Sequence, residues 1–219
     1  GKLFSSVRGG YDSTDGYKLN NDKEKYQAGA TLAYNFNEQS KLTFSADYGS
    51  DERGYAGYPD YPTPFSRAEK KTQTYSLVGN VESLKAKTYL NRGKRSNSDV
   101  SRGLDKSVSV DETGAECSST WDTESFGELV YGAGFFRSMA DGTAFDEQEE
   151  DTVSLFLIDS YDLDSFPVSI TFGLRTNFNS DFDDAVNPEI KLTYNRKKWK
   201  TTLSYTRTNN TPSFYQRYN

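Results

Sequence analysis

The sequence predicts an all-β protein: an antiparallel up-and-down meander of about eleven strands that forms part of a large transmembrane β-barrel. Three observations carry that prediction. Strand-length segments alternate between an apolar and a polar face with the period of two that a pleated strand requires. The apolar faces hold aromatic residues at both ends, as in a strand with lipid on one side and a watery lumen on the other. The connections alternate between short and long, as they do when turns line one rim of a barrel and loops line the other.

Composition agrees. Only 34% of the 219 residues are hydrophobic, 15% are aromatic, and the mean hydropathy is -0.83. A soluble domain of this length normally buries a larger aliphatic share, whereas a thin outward apolar band with polar lumen and loops does not need it. The net charge of -6 argues against nucleic acid, whose binding surfaces are basic. No apolar run approaches the length of a membrane helix, so a membrane protein with this sequence crosses by strands. The chain has no histidine, which removes the commonest general base, the usual transition-metal ligand and the partner of most Ser and Cys nucleophiles. Its carboxylates show no catalytic spacing, so the prediction is no enzyme and no cofactor. The single Cys117 excludes an internal disulfide framework. The start, Gly1-Lys2-Leu3-Phe4, has no signal-peptide pattern and runs straight into strand-like sequence, as after removal of a signal or in the middle of a longer chain.

Taken in order, Lys2–Tyr11 opens the meander. In Glu24–Phe36, Tyr26, Ala28, Ala30, Leu32, Tyr34 and Phe36 oppose Gln27, Gly29, Thr31 and Asn35. After the turn Asn37–Ser40, the segment to Gly49 sets Leu42, Phe44, Ala46 and Tyr48 against Lys41, Thr43, Ser45 and Asp47. Thr72–Val81 and Leu84–Asn91 flank the short turn Glu82-Ser83. Glu128–Arg137 and Thr152–Tyr161 follow, the latter with an apolar run at Val153–Ile158 whose facing is ambiguous. In Val168–Thr176, Val168, Ile170, Phe172 and Leu174 oppose Ser169, Thr171, Gly173 and Arg175. Pro188–Asn195 and Trp199–Arg207 close the series, with Ile190, Leu192, Leu203 and Tyr205 on apolar faces. The long connections are Asp12–Lys23, Ser50–Lys71, Arg92–Gly114, Ser138–Asp151 and Asn177–Asn187. Strict alternation demands one more strand between the third and fourth of these. Glu116–Glu124 supplies it, turning at Ser125–Gly127. An odd number of strands does not close a bacterial single-chain barrel, and a 22-strand barrel at ~20 residues per strand needs on the order of 440 residues. Residues 1–219 therefore read as one partial barrel domain.

The motifs resemble the barrel of the TonB-dependent outer-membrane receptors. Val153-Ser154-Leu155-Phe156 is followed by Ile170–Arg175, with its Gly-hydrophobic-Arg step, and by the Pro-led strand Asn187–Tyr194. Leu203–Arg207 then leads to Thr211-Pro212-Ser213-Phe214-Tyr215-Gln216-Arg217-Tyr218, which is similar to the family's Ala-Pro-Thr-Phe-x-Glu-Leu-Tyr pattern with Thr211 for the Ala and Gln216-Arg217 for the Glu-Leu. Upstream, Gly54–Pro59, Pro62-Thr63-Pro64 and Arg67 look like the Gly/Pro loop in the middle of such barrels. The resemblance implies bacterial outer-membrane localisation and TonB-dependent uptake of a scarce ligand such as a ferric siderophore or cobalamin. It also implies partners: the lipid bilayer, a small ligand or metal chelate, and the energy-transducing TonB complex reached through a plug domain. No plug-like sequence occurs in these 219 residues.

Candidate ligand contacts are Arg53, Tyr55, Tyr58, Tyr61, Phe65 and Arg67. Prolines stiffen their loop, and aromatic rings offer contact area at low entropic cost. The same rings also suit packing onto a neighbouring loop or a place at the headgroup level. Arg175, Glu189, Lys191 and Arg207 are expected on the lumen face. Asp12, Asp15 and Asp22, with Glu24, form one acidic loop, and Asp181, Asp183 and Asp184 another. Neither has the EF-hand spacing, so they are at most weak calcium candidates and read first as solvated loops. Two other readings remain open: a small self-contained outer-membrane barrel or adhesin, and a soluble β-sandwich binding module. The first needs closing strands. The second needs a core shared by two sheets.

Overall fold

The structure is a computed structural model and describes every residue except 59, 124–126, 164, 197, 210, 211, 213 and 219, and only the backbone of 215 and 218. Eleven strands form one antiparallel sheet in sequence order. They are β1 (Lys2–Thr14), β2 (Lys23–Asn35), β3 (Ser40–Tyr58), β4 (Tyr61–Val81), β5 (Leu84–Asp99) and β6 (Leu104–Thr123), then β7 (Gly127–Gly142), β8 (Phe145–Leu163), β9 (Val168–Asn179), β10 (Ala185–Arg196) and β11 (Trp199–Thr206). A short helix, α1 (Phe214–Tyr218), follows, and a 3₁₀ turn over Val100–Arg102 joins β5 to β6. Each strand is hydrogen-bonded only to its sequence neighbours, so the β1 and β11 edges are not paired with each other.

The predicted strands are present, including the weakly alternating one, which lies within β6. The predicted turn Ser125–Gly127 falls mostly outside the described residues. Three of the connections expected as long loops are corrected. Ser50–Lys71, Arg92–Gly114 and Ser138–Asp151 are largely strand: β3 runs to Tyr58 and β4 starts at Tyr61, β5 and β6 are separated only by 100–103, and β7 and β8 only by 143–144. Above the lipid both faces of a strand are wet, so the apolar/polar alternation ends there while the backbone ladder continues. Polar cross-strand pairs such as Ser50↔Lys71, Arg92↔Asp111 and Ser138↔Glu150 carry it upward.

Registers fix the two faces of the sheet. Leu32 lies opposite Phe44, Phe44 opposite Leu77, and Phe135 opposite Val153. Farther on, Leu157 faces Leu174, Ile190 faces Phe172, and Leu192 faces both Ile170 and Leu203. The other face joins Thr31 to Ser45, Ser45 to Ser76, Glu116 to Lys87, and Lys191 to Thr171 and Ser204. The ambiguous run in β8 resolves by the same count: Val153, Leu155 and Leu157 on the apolar face, Ser154, Phe156 and Ile158 on the polar one.

The polar face is concave. Arg175 on β9 reaches Glu116 on β6, Nη2 to Oε2 3.8 Å, although strands three apart in a flat sheet are ~14 Å from one another. Residues of β4, β5, β6, β7 and β8 likewise converge on one cavity together with Pro212 and Phe214. Glycine permits close crossing on this face. A Cβ on Gly29 would collide with Asp47 and Arg8, and without one the Arg8–Asp47 ion pair spans β2 from β1 to β3.

The apolar face is convex and uncovered. Leu32 is 48% exposed, Leu155 51% and Phe172 52%, whereas the buried apolar residues are four alanines and Phe214 among the described residues. A two-sheet sandwich would bury the former set against a second layer. A lipid-facing wall leaves it outside. Aromatics flank the band: the Tyr11 and Tyr26 rings lie 4.8 Å apart at one end of β2, and Tyr34 and Phe36 4.8 Å apart at the other.

Candidate functional site

The long-loop rim is the place where this wall makes a specific constellation. The loop between β1 and β2 (residues 15–22) folds against the β3–β4 hairpin. At its centre is Asn20, whose backbone takes the left-handed conformation (φ 55°) that Asn tolerates better than most residues. Its side-chain amide donates to the carbonyls of Tyr55 (3.0 Å), Thr63 (2.8 Å) and Ser66 (2.8 Å). A Cβ on Gly54 would strike Asn20, so the glycine admits the loop. Arg67 completes the clasp, donating through Nη1 to both carboxylate oxygens of Asp22 at 2.8 Å and through Nη2 to Glu52 Oε1 at 2.7 Å. These hydrogen bonds hold the Asp22 carboxyl below the usual carboxylate range and raise the Arg67 guanidinium further.

The six residues proposed from sequence do not form one surface. Arg67 lies opposite Gly54 and shares the outward parity of Glu52, while Arg53 lies opposite Ala68 on the inward parity and donates to Asp51 Oδ1 from Nε (2.9 Å) and Nη2 (2.7 Å). Tyr55 precedes a bulge at which Gly57, with φ 72°, turns the hairpin. Tyr58 and Tyr61 oppose each other at the tip, 80% and 74% exposed, and Phe65 is also exposed. Arg67 therefore holds two loops together, and the tip aromatics stand free above them. Sequence reading missed Asn20. Its signal, an Asn-Asn-Asp turn after a polar run, identifies a turn but not the carbonyls it meets.

Lower on the concave wall, Arg175 stacks over Phe156 (5.5 Å) besides reaching Glu116. Glu189 lies between Gly173 and Thr206, and Lys191 between Thr171 and Ser204, on the same face. Arg207 departs from its expected facing. Its amide donates to the Pro188 carbonyl (3.1 Å), one step beyond the β10–β11 ladder, and this gives it the outward parity of Leu203 and Tyr205. The aromatic segment after β11 folds onto the concave wall. Phe214 is buried, and Arg217 pairs with Glu150 (2.9 Å) while its guanidinium lies over the rings of Phe182 (4.8 Å) and Phe214 (4.5 Å). Cavities of 590 and 530 Å³ flank this segment, and both include Phe136, Glu150 and Pro212. Of the acidic loops, Asp12 accepts from Lys23 (3.3 Å), Asp22 is engaged by Arg67, and Asp184 and Asp181 accept from Asn179 and Ser180. Among the described residues no group of three or more acidic, Cys or His side chains is placed to hold a metal ion.

An antiparallel meander with an apolar convex face, a polar concave face and strands that rise into hairpins on one rim is the wall of a transmembrane β-barrel. The chain belongs to the TonB dependent receptor-like, β-barrel family, which matches it over residues 2–219. In structure it is similar to the siderophore receptor PirA from Pseudomonas aeruginosa, at 14% identity and a TM-score of 0.77 over 97% of this chain and 38% of that one. A variant of the ferric enterobactin receptor PfeA from the same organism, in complex with enterobactin, aligns at 14% identity and a TM-score of 0.74, covering 98% and 40% of the two chains. The copper transporter OprC aligns at 13% identity and 0.73, covering 97% and 42%. The chain thus spans about two fifths of these proteins (38–42%), and at such identities the likeness is one of fold. A comparison with curated protein sequences finds no match.

Proposed function

We propose that this chain is a consecutive portion of the wall of a barrel in the 22-strand class, embedded in a bacterial outer membrane, and that the intact protein is a receptor for TonB-dependent active uptake. Its ligand is a scarce compound such as a ferric siderophore or cobalamin, admitted at the long-loop rim. Energy comes from the TonB complex through a plug domain of the intact protein. The wall itself binds and guides, and it carries out no covalent chemistry. The observation that carries this reading is the two-faced curved sheet: its apolar side suits lipid, and its polar side suits a lumen lined by charged and hydrogen-bonding groups. The family membership and the siderophore and copper proteins of like fold support it.

The test is uptake in the source bacterium under iron or cobalamin limitation. Deletion of the gene should abolish accumulation of one labelled ligand, and inactivation of TonB should do the same. Unchanged uptake of every labelled chelate and of cobalamin, or recovery of the intact protein from the soluble fraction, would overturn the reading.

A further inference from the structure

Three carboxylates at the upper edge of the outward apolar band have cations beside them. Glu69 takes Lys71 at 2.5 Å, Asp111 takes Arg92 at 3.3 Å, and Asp151 takes Arg137 at 2.6 Å. Lower on the same wall, Asp159 of β8 makes no ion pair among the described residues. It lies directly opposite Leu129 on β7 and Phe172 on β9, which gives it the outward parity of Leu155 and Leu157. Between the Arg137–Asp151 pair and the short turns, the outward positions of β6 to β9 hold no other acidic or basic side chain among the described residues.

This carboxyl is also short of a hydrogen bond. Its Oδ1 is buried and has no partner among the described residues. By register, the nearest outward positions are Leu129, Tyr131, Leu157, Tyr161, Phe172 and Leu174. An unpaired carboxyl in such apolar surroundings is costly, and buried polar atoms are as a rule partnered. The wall supplies no cation here, and an aspartate side chain is too short to reach out for one, unlike a snorkelling Lys or Arg.

The height of Asp159 on the wall says where a partner comes from. β8 ends at Leu163 on the short-turn rim, where Trp121, Tyr161 and Phe166 are exposed. Aromatic residues at such a rim sit at the level of the lipid headgroups. Asp159 stands two residues above Tyr161, about 7 Å along the strand and ~5 Å along the membrane normal.

We infer that Asp159 is a headgroup site for a phospholipid of the periplasmic leaflet that bears a primary ammonium, as an ethanolamine headgroup does. A positive charge with three N–H donors is what this carboxylate lacks. The Tyr161 hydroxyl, one outward step nearer the rim, can donate to the phosphate of the same headgroup. Lipid fits this position better than a second copy of the chain. Two convex walls touch only along a line, and the same stretch of β6 to β9 offers no outward cation to receive Asp159 of another copy. The inference rests on the lipid-facing wall proposed above and is independent of which ligand is transported.

The experiment strips the intact receptor of lipid in detergent and titrates it with phosphatidylethanolamine, phosphatidylcholine and phosphatidylglycerol, counting bound lipids by native mass spectrometry. Phosphatidylcholine keeps the positive charge but has no N–H donor, and phosphatidylglycerol has no ammonium at all. Wild type should bind one phosphatidylethanolamine about tenfold more tightly than phosphatidylcholine, and phosphatidylglycerol more weakly still. Asp159→Asn should erase that preference and Asp159→Glu should keep part of it, with thermal unfolding as the check on folding. Equal affinity of wild type for the ethanolamine and choline lipids overturns the assignment, whatever the variants do. So does a preference that persists in Asp159→Asn, and so does a wild-type dimer that dissociates in Asp159→Asn, which would give the carboxyl to a second copy. These three outcomes leave the receptor reading standing. Recovery of the intact protein from the soluble fraction removes both.

Discussion

Replacing Leu32 by Arg tests the lipid-facing wall most directly. Along β2 and the residue that follows it, the outward aromatics run from Tyr26 to Phe36. Ten residues at ~3.4 Å each, on a strand tilted by ~40°, span ~26 Å along the membrane normal, close to the ~25 Å apolar band of outer-membrane barrels. Leu32 sits six residues from one end and four from the other, so it lies near the bilayer midplane. Arg there should cost ~2–4 kcal/mol, a factor of ~30 to 1,000 in the folding equilibrium constant. Thr31 is the control. It is one residue away on the concave face, within 3.3 Å of the Ser45 hydroxyl, and Arg at Thr31 should cost no more than about 1 kcal/mol. The assay is a urea titration of the intact barrel refolded into phospholipid vesicles, read by tryptophan fluorescence. Equal costs at the two positions, or the larger cost at Thr31, would refute the facing derived from the registers, because a one-residue slip exchanges the two walls.

Two further expectations concern the clasp between the β1–β2 loop and the β3–β4 hairpin. Asn20→Ala strands three carbonyls that now share one amide, and it should weaken loop docking by ~1–3 kcal/mol; limited proteolysis of intact cells should then cut residues 15–22 faster, and an unchanged cleavage rate would show that the loop is held by other contacts. Because the Asp22 carboxyl is held below its ordinary value of 3.8 by Arg67, its stabilising contribution is complete above that pH and is lost as the pH falls through the lower folded value. Amide exchange of the β1–β2 loop should accordingly stay flat from neutral pH down to about 4, after correction for the intrinsic rate, and accelerate only below; acceleration between pH 7 and 5 would mean that another group sets the clasp.

Much of this protein is written in its local pattern. Period-two alternation is a property of single strands, so the two walls were legible from residues such as Leu42, Phe44, Ile170 and Leu192, whereas the weak strand within β6, and with it the odd strand number, came from the alternation of short and long connections. The alternation of short and long connections gave the meander, because neighbouring antiparallel strands need nothing more than a turn. Even the facing of Lys25, Lys70 and Arg95 is implicit in the count, once a strand is known to continue that far.

That continuation is what the pattern could not supply. In Ser50–Lys71 both faces are wet, so hydropathy no longer distinguishes strand from loop, and only ladder hydrogen bonds to a neighbouring strand do. The same holds for side-chain meetings across the sheet. Asn20 with the carbonyls of the β3–β4 hairpin, Arg67 with Asp22, Arg217 with Glu150, and Lys23 opposite Arg53 join positions 30 to 67 residues apart in register-dependent ways. Lys23 and Arg53 are thirty residues apart in sequence and become neighbours only because β2 and β3 pair in one particular register. Sequence by itself determined which residues of the cleanly alternating strands share a face, since that follows from the pleat of one strand. Tertiary structure alone decided which charges stand beside one another, since that follows from how far the strands run, in what register they pair and how tightly the sheet curves.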